Sequence, residues 1–293
     1  MPFRVICLMI CSLTAFMPLA QALEICGDLR QGELLYLRNN PKEKNIFFNN
    51  LGKKVYFSDE DGVTLVALHR DVPKKVKFAV YSGTDAGTEY ALQIEPAVWD
   101  IQRVNGVAPA KVTPNKSHEA EILRERRDVN RVLTGGKSAN VPETHDFWRE
   151  GFILPIEGKI SGNFGNQRIF NGIPKSPHSG TDIAAPEGTP VKASGSGVVV
   201  LSGKDYFYTG NMVMIDHGRQ LTTIYAHLKD ATVKEGDKVR QGDVIGHVGK
   251  TGRATGPHLH WGASLNNVRF RPHSLLDLNN KVCRRVEGTD MGE

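Results

Sequence analysis

The segment GVVVLSGKDYFYTGNMVMIDHGRQLTTIYAH, residues 197–227, decides the fold. Three short runs rich in aliphatic and β-branched residues stand in it, Gly197–Leu201, Met212–Asp216 and Leu221–His227, separated by Gly- and Asp-bearing stretches. A fourth run, Val244–Val248, follows the turns Glu235-Gly-Asp237 and Gln241-Gly-Asp243. No segment of helical period and helical length interrupts residues 152–276. The pattern predicts an antiparallel β-sheet domain over 152–277.

Toward the N-terminus the same grammar continues with different content. Glu33–Arg38, Lys54–Phe57, Val63–His69, Lys75–Tyr81 and Glu89–Glu95 are short β-rich runs, and Asp61-Gly62 reads as a hairpin turn. These predict a small β-sandwich over 23–107. It carries no metal or nucleophile constellation, and His69 and Trp99 read as packing residues. Residues 105–116 are loop-like, with Pro109 and Pro114. Ser117 then reads as an N-cap, Glu119 and Glu121 as first-turn acids, and Ile122, Val129 and Leu133 as a narrow apolar stripe ended by Gly135-Gly136. This predicts a connecting helix with solvated arginines inside a connector over 108–151, whose second half, 137–150, is a linker. Residues 278–293 read as a C-terminal tail. The fold class is mainly β: a small N-terminal β-sandwich, a connecting helix and a C-terminal antiparallel sheet.

Compartment is written in the first 22 residues. Arg4, an apolar run from Val5 to Ala20 and Ala20-Gln-Ala22 together read as a cleaved signal peptide, an uncleaved anchor being the alternative. Leu23-Glu24-Ile25 before Cys26 lacks the small residues of a lipid-attachment site. The protein is expected to be periplasmic or secreted, with no membrane span after cleavage. Cys7 and Cys11 leave with the leader. Cys26 and Cys283 remain near the two ends, and an oxidising compartment permits a disulfide between them. Two free thiols are the alternative. The formal net charge of +5 suits an anionic polymer, but Lys and Arg are scattered, so nucleic acid is not an expected partner.

The chemistry sits in His178-Ser-Gly-Thr-Asp182 and His258-Leu-His260. Two histidines and a carboxylate make a three-ligand set for a catalytic zinc whose fourth position is left to water. The neighbouring histidine and His227, in Tyr225-Ala-His227-Leu, supply further imidazoles for acid–base or oxyanion duty. Residues two apart on a strand point the same way, so His258 and His260 share a face, and so do Tyr225 and His227. A sheet floor presenting four imidazoles and a carboxylate to one groove is the expected arrangement.

Three rival signals are weaker. Gly249-Lys-Thr251 resembles the end of a P-loop, but the opening glycine is replaced by Val244. The strands around Glu235–Gly249 resemble lipoyl or biotinyl carriers without a modification lysine at a hairpin tip. An iron(II) facial triad also uses two histidines and a carboxylate, but it would leave His227 and His258 without use.

Residues from about Leu154 to Leu276 resemble the catalytic domain of lysostaphin/LytM-type zinc metallopeptidases, which cut cell-wall peptides. The matching pieces are Gly162-Asn-Phe-Gly165, His178-Ser-Gly-Thr-Asp182, Asn211-Met-Val-Met-Ile-Asp-His-Gly218, Tyr225-Ala-His-Leu228 and Gly252-Arg-Ala-Thr-Gly-Pro-His-Leu-His-Trp-Gly262. The front half is similar only in general plan to Gram-negative periplasmic members. The resemblance implies one Zn2+ per chain on His178, Asp182 and His260, with His227 and His258 as catalytic, non-ligand histidines. It implies an endopeptidase acting on peptidoglycan peptide stems by metal-activated water, with D-alanyl–diaminopimelate as the expected bond and a glycine bridge as runner-up. A non-catalytic or latent activator of amidases is the alternative, and a regulatory periplasmic partner fits either reading. Asn163, Arg168 and Tyr225 are further candidates for the substrate groove. His217 and His247 read as structural, and His118, His145 and His273 as surface residues.

Overall fold

The computed structural model describes residues 23–38, 44–48, 53–57, 61–82, 88–135 and 146–290. The expected leader 1–22, Gly136, His145 and most of the second linker lie outside the described residues.

The C-terminal half is built on one ten-stranded antiparallel sheet. Its centre is Leu221–Ala231, flanked by Gly210–Asp216 on one side and His258–Leu265 on the other. Beyond the latter come Gly180–Ala184 and then Lys159–Gly162; beyond the former come Gly197–Tyr206 and Lys238–Val239. Val244–Val248 pairs with the far end of the central strand and with Pro190–Lys192. The four runs read from sequence are all present; three are lengthened at one end, and Val244–Val248 keeps its bounds. Gly236 and Gly242, at φ 95° and 90°, make the two Gly-Asp turns.

The two faces of this sheet are covered differently. Tyr225, Leu259, Trp261, Val213 and Ile215 point into a core shared with Leu34, Tyr36, Leu65 and Ala67 of the front half. Met212, Met214, Ile224 and Ala226 face the opposite way, where Val129, Val132 and Leu133 of the helix Glu119–Leu133 cover one end. The functional groups described below lie on this second face.

The front half is a two-layer β-structure. One layer orders Cys283–Val286, Leu23–Cys26, Leu34–Arg38 and Thr64–Ala67; the other orders Thr289–Asp290, Thr88–Gln93, Lys75–Ser82, Lys44–Phe48 and Lys53–Phe57. The residues read as a C-terminal tail therefore supply an edge strand to each layer. Asp61-Gly62 carries the chain from one layer to the other, so it closes no hairpin. Leu23–Cys26, Lys44–Phe48 and Ile101–Val104 are strands that the local pattern did not announce. The helix begins two residues after Ser117; the Asn115 side chain accepts the Ser117 N–H and caps the 3-10 turn leading into it. Cys26 and Cys283 face each other on paired strands and form the disulfide. Among the described residues no helix is long and apolar enough to cross a membrane.

Candidate metal centre

The strand pairing assembles the site. In the antiparallel pair Gly180–Ala184 with His258–Leu265, Asp182 stands opposite His260 and Ala184 opposite His258. His178 lies just before its strand and is tied down by backbone bonds: its N–H donates to the Asn166 carbonyl at 2.9 Å, and its carbonyl accepts the Gly165 N–H at 2.9 Å.

His227 needs a distortion to arrive. Strict alternation would aim it with Tyr225 into the core. Instead Asn211 pairs with Leu228 while Val213 pairs with Tyr225, so the central strand carries one extra residue, a β-bulge. His227 takes φ 63° there, at a cost of roughly 1–2 kcal/mol for a non-glycine residue. Its N–H donates to the Thr209 carbonyl at 2.9 Å. The bulge turns its ring toward His258, with centroids 4.7 Å apart.

The donor atoms converge. His178 Nε2 lies 3.1 Å from Asp182 Oδ1 and 3.0 Å from His260 Nδ1, and His260 Nδ1 lies 2.9 Å from Asp182 Oδ1. The three ligand atoms fall within 4.8 Å of one another, and all three residues are buried. His178 Nδ1 donates to the Asn163 carbonyl at 3.0 Å, which leaves its Nε2 bare and facing the cluster. His227 Nδ1 faces the Thr251 carbonyl at 2.9 Å and His258 Nδ1 faces the Gly256 carbonyl at 2.9 Å, contacts that in a neutral ring place the proton on Nδ1 and leave Nε2 as the acceptor. The His258 Nε2 is 3.8 Å from Asp182 Oδ1.

The protonation states suit a divalent cation. Burial depresses the His178 and His227 imidazoles and brings His260 to about 4, so all three are neutral at pH 7. Burial alone would raise Asp182, but the surrounding His178, His260 and Arg168 hold it well below the usual carboxylate range. Arg168 grips Asp182 Oδ2 with one guanidinium nitrogen, while its Nε donates to Gln102 Oε1 at 3.1 Å. Two neutral ring nitrogens and one ionised carboxylate are the forms in which these groups ligate a metal. The residues therefore fit one.

Of the expected site residues, His178, Asp182, His260, His227 and His258 come together. Arg168 reaches the cluster through Asp182. Asn163 contributes its carbonyl, and its side chain is exposed. Tyr225 does not reach the groove: it is fully buried on the opposite face, with its hydroxyl bonded to Ser194 and Thr223. The alternation that was to aim it with His227 fails at the bulge. His217 is buried between the Ser196 carbonyl and the Thr223 hydroxyl, and His247 pairs with Asp230. His273 is half-buried against Trp261, and His118 rests on Phe207. Gln102, from the front half, carried no local signal, because its role depends on Ile101–Val104 running parallel to Gln167–Phe170.

Residues 176–272 match the model of peptidase family M23. The chain carries a peptidase family M23 domain. Vibrio cholerae peptidoglycan DD-endopeptidase ShyA is 42% identical over 142 residues, 47% of this chain and 32% of that protein. The DD-carboxypeptidase/endopeptidase Mpg of Neisseria meningitidis serogroup B is 51% identical over 98 residues, 33% of this chain and 22% of that protein. The chain thus spans a third or less of the length of these curated relatives. A solved Pseudomonas aeruginosa protein described as a peptidase M23 is similar over 86% of this chain and 96% of its own, with TM-score 0.62 and 28% identity. That likeness extends past the M23 domain into the front half.

Proposed function

We propose that the chain is an extracytoplasmic zinc endopeptidase that hydrolyses peptide cross-links of peptidoglycan, the D-alanyl–diaminopimelate bond in particular. The observation that carries this reading is the convergence of three candidate metal donors beside two imidazoles whose Nδ1 atoms face backbone carbonyls. The M23 domain, and relatives named as peptidoglycan endopeptidases, support the reaction class and the substrate.

His178 Nε2, Asp182 Oδ1 and His260 Nδ1 would hold the metal. When bound, zinc supplies Lewis acidity that lowers the pKa of water toward ~7 and polarises an amide carbonyl. The protein's own part is positioning and proton transfer. His178, His260 and Arg168 together keep Asp182 ionised, and the Arg168 contact fixes its orientation. The carbonyls of Thr251 and Gly256 lock His227 and His258 in the tautomer that accepts a proton at Nε2. Once protonated there, the same nitrogen donates to an oxyanion or to the departing amine.

The test is digestion of purified sacculi by the zinc-loaded protein, with products read by mass spectrometry. Loss of cross-linked dimers with a new free amine on diaminopimelate is expected; intact dimers would reject the proposal. His178→Ala and Asp182→Ala are expected to lose the metal. His227→Ala and His258→Ala should keep it while losing activity by about 100-fold or more. Metal absent from both of the latter would overturn the division between ligand and catalyst.

A further inference from the structure

Beside the metal donors lies a groove of about 460 Å³, walled by both halves of the chain. Its charge is one-sided. Asp182 is the single carboxylate among its lining residues, against Arg103, Arg168 and Arg253. Arg168 is engaged with Asp182 and Gln102. Arg253 is held differently. Its guanidinium carbon sits 4.7 Å from the Phe170 ring centroid and 4.6 Å from that of Tyr208, so the group is clamped between two aromatic rings. Its backbone N–H donates to the Tyr208 carbonyl at 2.8 Å, fixing the base of the side chain. Among the described contacts its guanidinium makes no hydrogen bond or ion pair with the protein. The Glu125 carboxylate acts on it electrostatically, but both Glu125 oxygens are taken up by the Tyr208 and Thr209 N–H groups and the Thr209 hydroxyl.

Arg253 is half-buried, and a guanidinium partly withdrawn from water with no carboxylate hydrogen-bonded to it is costly. Rings that hold its plane leave a preformed fork of N–H donors, whose complementary ligand is a carboxylate bound bidentately. The cross-link chemistry offers one. Diaminopimelate has two amino acid centres; where its second amine is acylated by alanine, the carboxyl on the same carbon belongs to no peptide bond and stays ionised. In a glycine bridge the equivalent carboxyl is consumed in the next amide.

We propose that Arg253 is a specificity-determining residue whose guanidinium, clamped between Phe170 and Tyr208 in the groove that also holds His258, receives a free α-carboxylate next to the scissile amide. This rests on the hydrolase reading above and sharpens its substrate.

Two cross-linked peptides, identical except that the amine-side residue carries a free α-carboxylate or its carboxamide, test the assignment. Zinc-loaded wild type should favour the carboxylate by about 10-fold or more in kcat/KM. Arg253→Gln should lose that preference, its kcat/KM on the carboxylate peptide falling to within about 2-fold of its own value on the carboxamide, and Arg253→Lys should keep part of it. Circular dichroism and metal content verify that both variants are folded and loaded. In His227→Ala, calorimetric binding of the uncut peptides should show the same preference. Equal wild-type rates on the two peptides, a preference that survives Arg253→Gln, or one abolished by Arg103→Gln instead would each overturn the assignment while leaving the hydrolase reading intact. Cleavage of neither peptide would bring down both.

Discussion

Gly180 has no room for a side chain. A Cβ there would lie 2.8 Å from both Cε1 and Nε2 of His260 and 2.5 Å from the Trp261 carbonyl oxygen. The ring of one metal donor is thus seated against a bare backbone, which is the physical reason for glycine inside His178-Ser-Gly-Thr-Asp182. Gly180→Ala is expected to displace the His260 ring and to weaken zinc binding by about 10-fold or more, measured against a competing chelator; unchanged affinity would show that the ring has slack. His217 makes the opposite kind of prediction, in stability rather than binding. Burial lowers its pKa to about 4. The unfolded chain, with an ordinary histidine pKa of about 6.5, takes up the proton first as pH falls. The contribution of the neutral ring is therefore complete above pH ~6.5 and is lost progressively toward pH ~4, up to roughly 3 kcal/mol. Denaturant midpoints of wild type and His217→Asn should draw together across that window, and parallel curves would contradict it. At this scale the sequence was informative about which side chains converge: His178, Asp182, His227, His258 and His260 were all legible. Asn163 acts through its carbonyl, so side-chain type gave no correct indication of its contact.

The helix Glu119–Leu133 was legible from its apolar period, but its main contact to the site was not. Glu125 is 6% exposed and accepts from the Tyr208 N–H at 2.8 Å, the Thr209 N–H at 3.0 Å and the Thr209 hydroxyl at 2.8 Å. The Thr209 carbonyl in turn receives the His227 N–H at the bulge. A charged residue on a charged helix reads as solvated, and only the approach of a loop some eighty residues later makes it a brace. Arg131 is likewise paired with Glu235 across the same distance scale. The bulge escaped local reading for the same kind of reason, because period-2 alternation cannot reveal an inserted residue without its partner strand. Glu125→Ala leaves two part-buried N–H groups without their carboxylate and is expected to cost about 1–3 kcal/mol. If the brace positions His227, kcat should fall about 10-fold with KM and bound metal unchanged, and Glu125→Gln should recover part of the loss. Lost stability with full kcat would reduce the helix to a packing element.

Across the whole molecule, the strand Leu34–Arg38 shows how the halves are joined. Leu35 and Leu37 point into the front sandwich, while Leu34 and Tyr36 point into the core under the ten-stranded sheet. A run apolar at every position is the mark of a strand buried on both faces. The sequence showed the run but could not say what covered its second face. The termini were harder still: Cys283–Val286 is short and basic, and becomes a strand through pairing with Leu23–Cys26. The disulfide Cys26–Cys283, spanning a sequence separation of 257, fixes that pairing. A closure so long restricts the unfolded chain strongly, and its removal should cost about 2–5 kcal/mol. Of the candidate metal donors, by contrast, Asp182 and His260 stand on strands of the ten-stranded sheet and His178 lies just before one, away from the edge that the disulfide secures. Reduction, or the double substitution Cys26→Ser with Cys283→Ser, should therefore lower the urea midpoint while leaving zinc content and native-state hydrolysis unchanged. Midpoints that coincide with and without reductant would remove the clasp from the stability of the fold, and a parallel loss of zinc would show that the front half and the metal centre unfold as one unit.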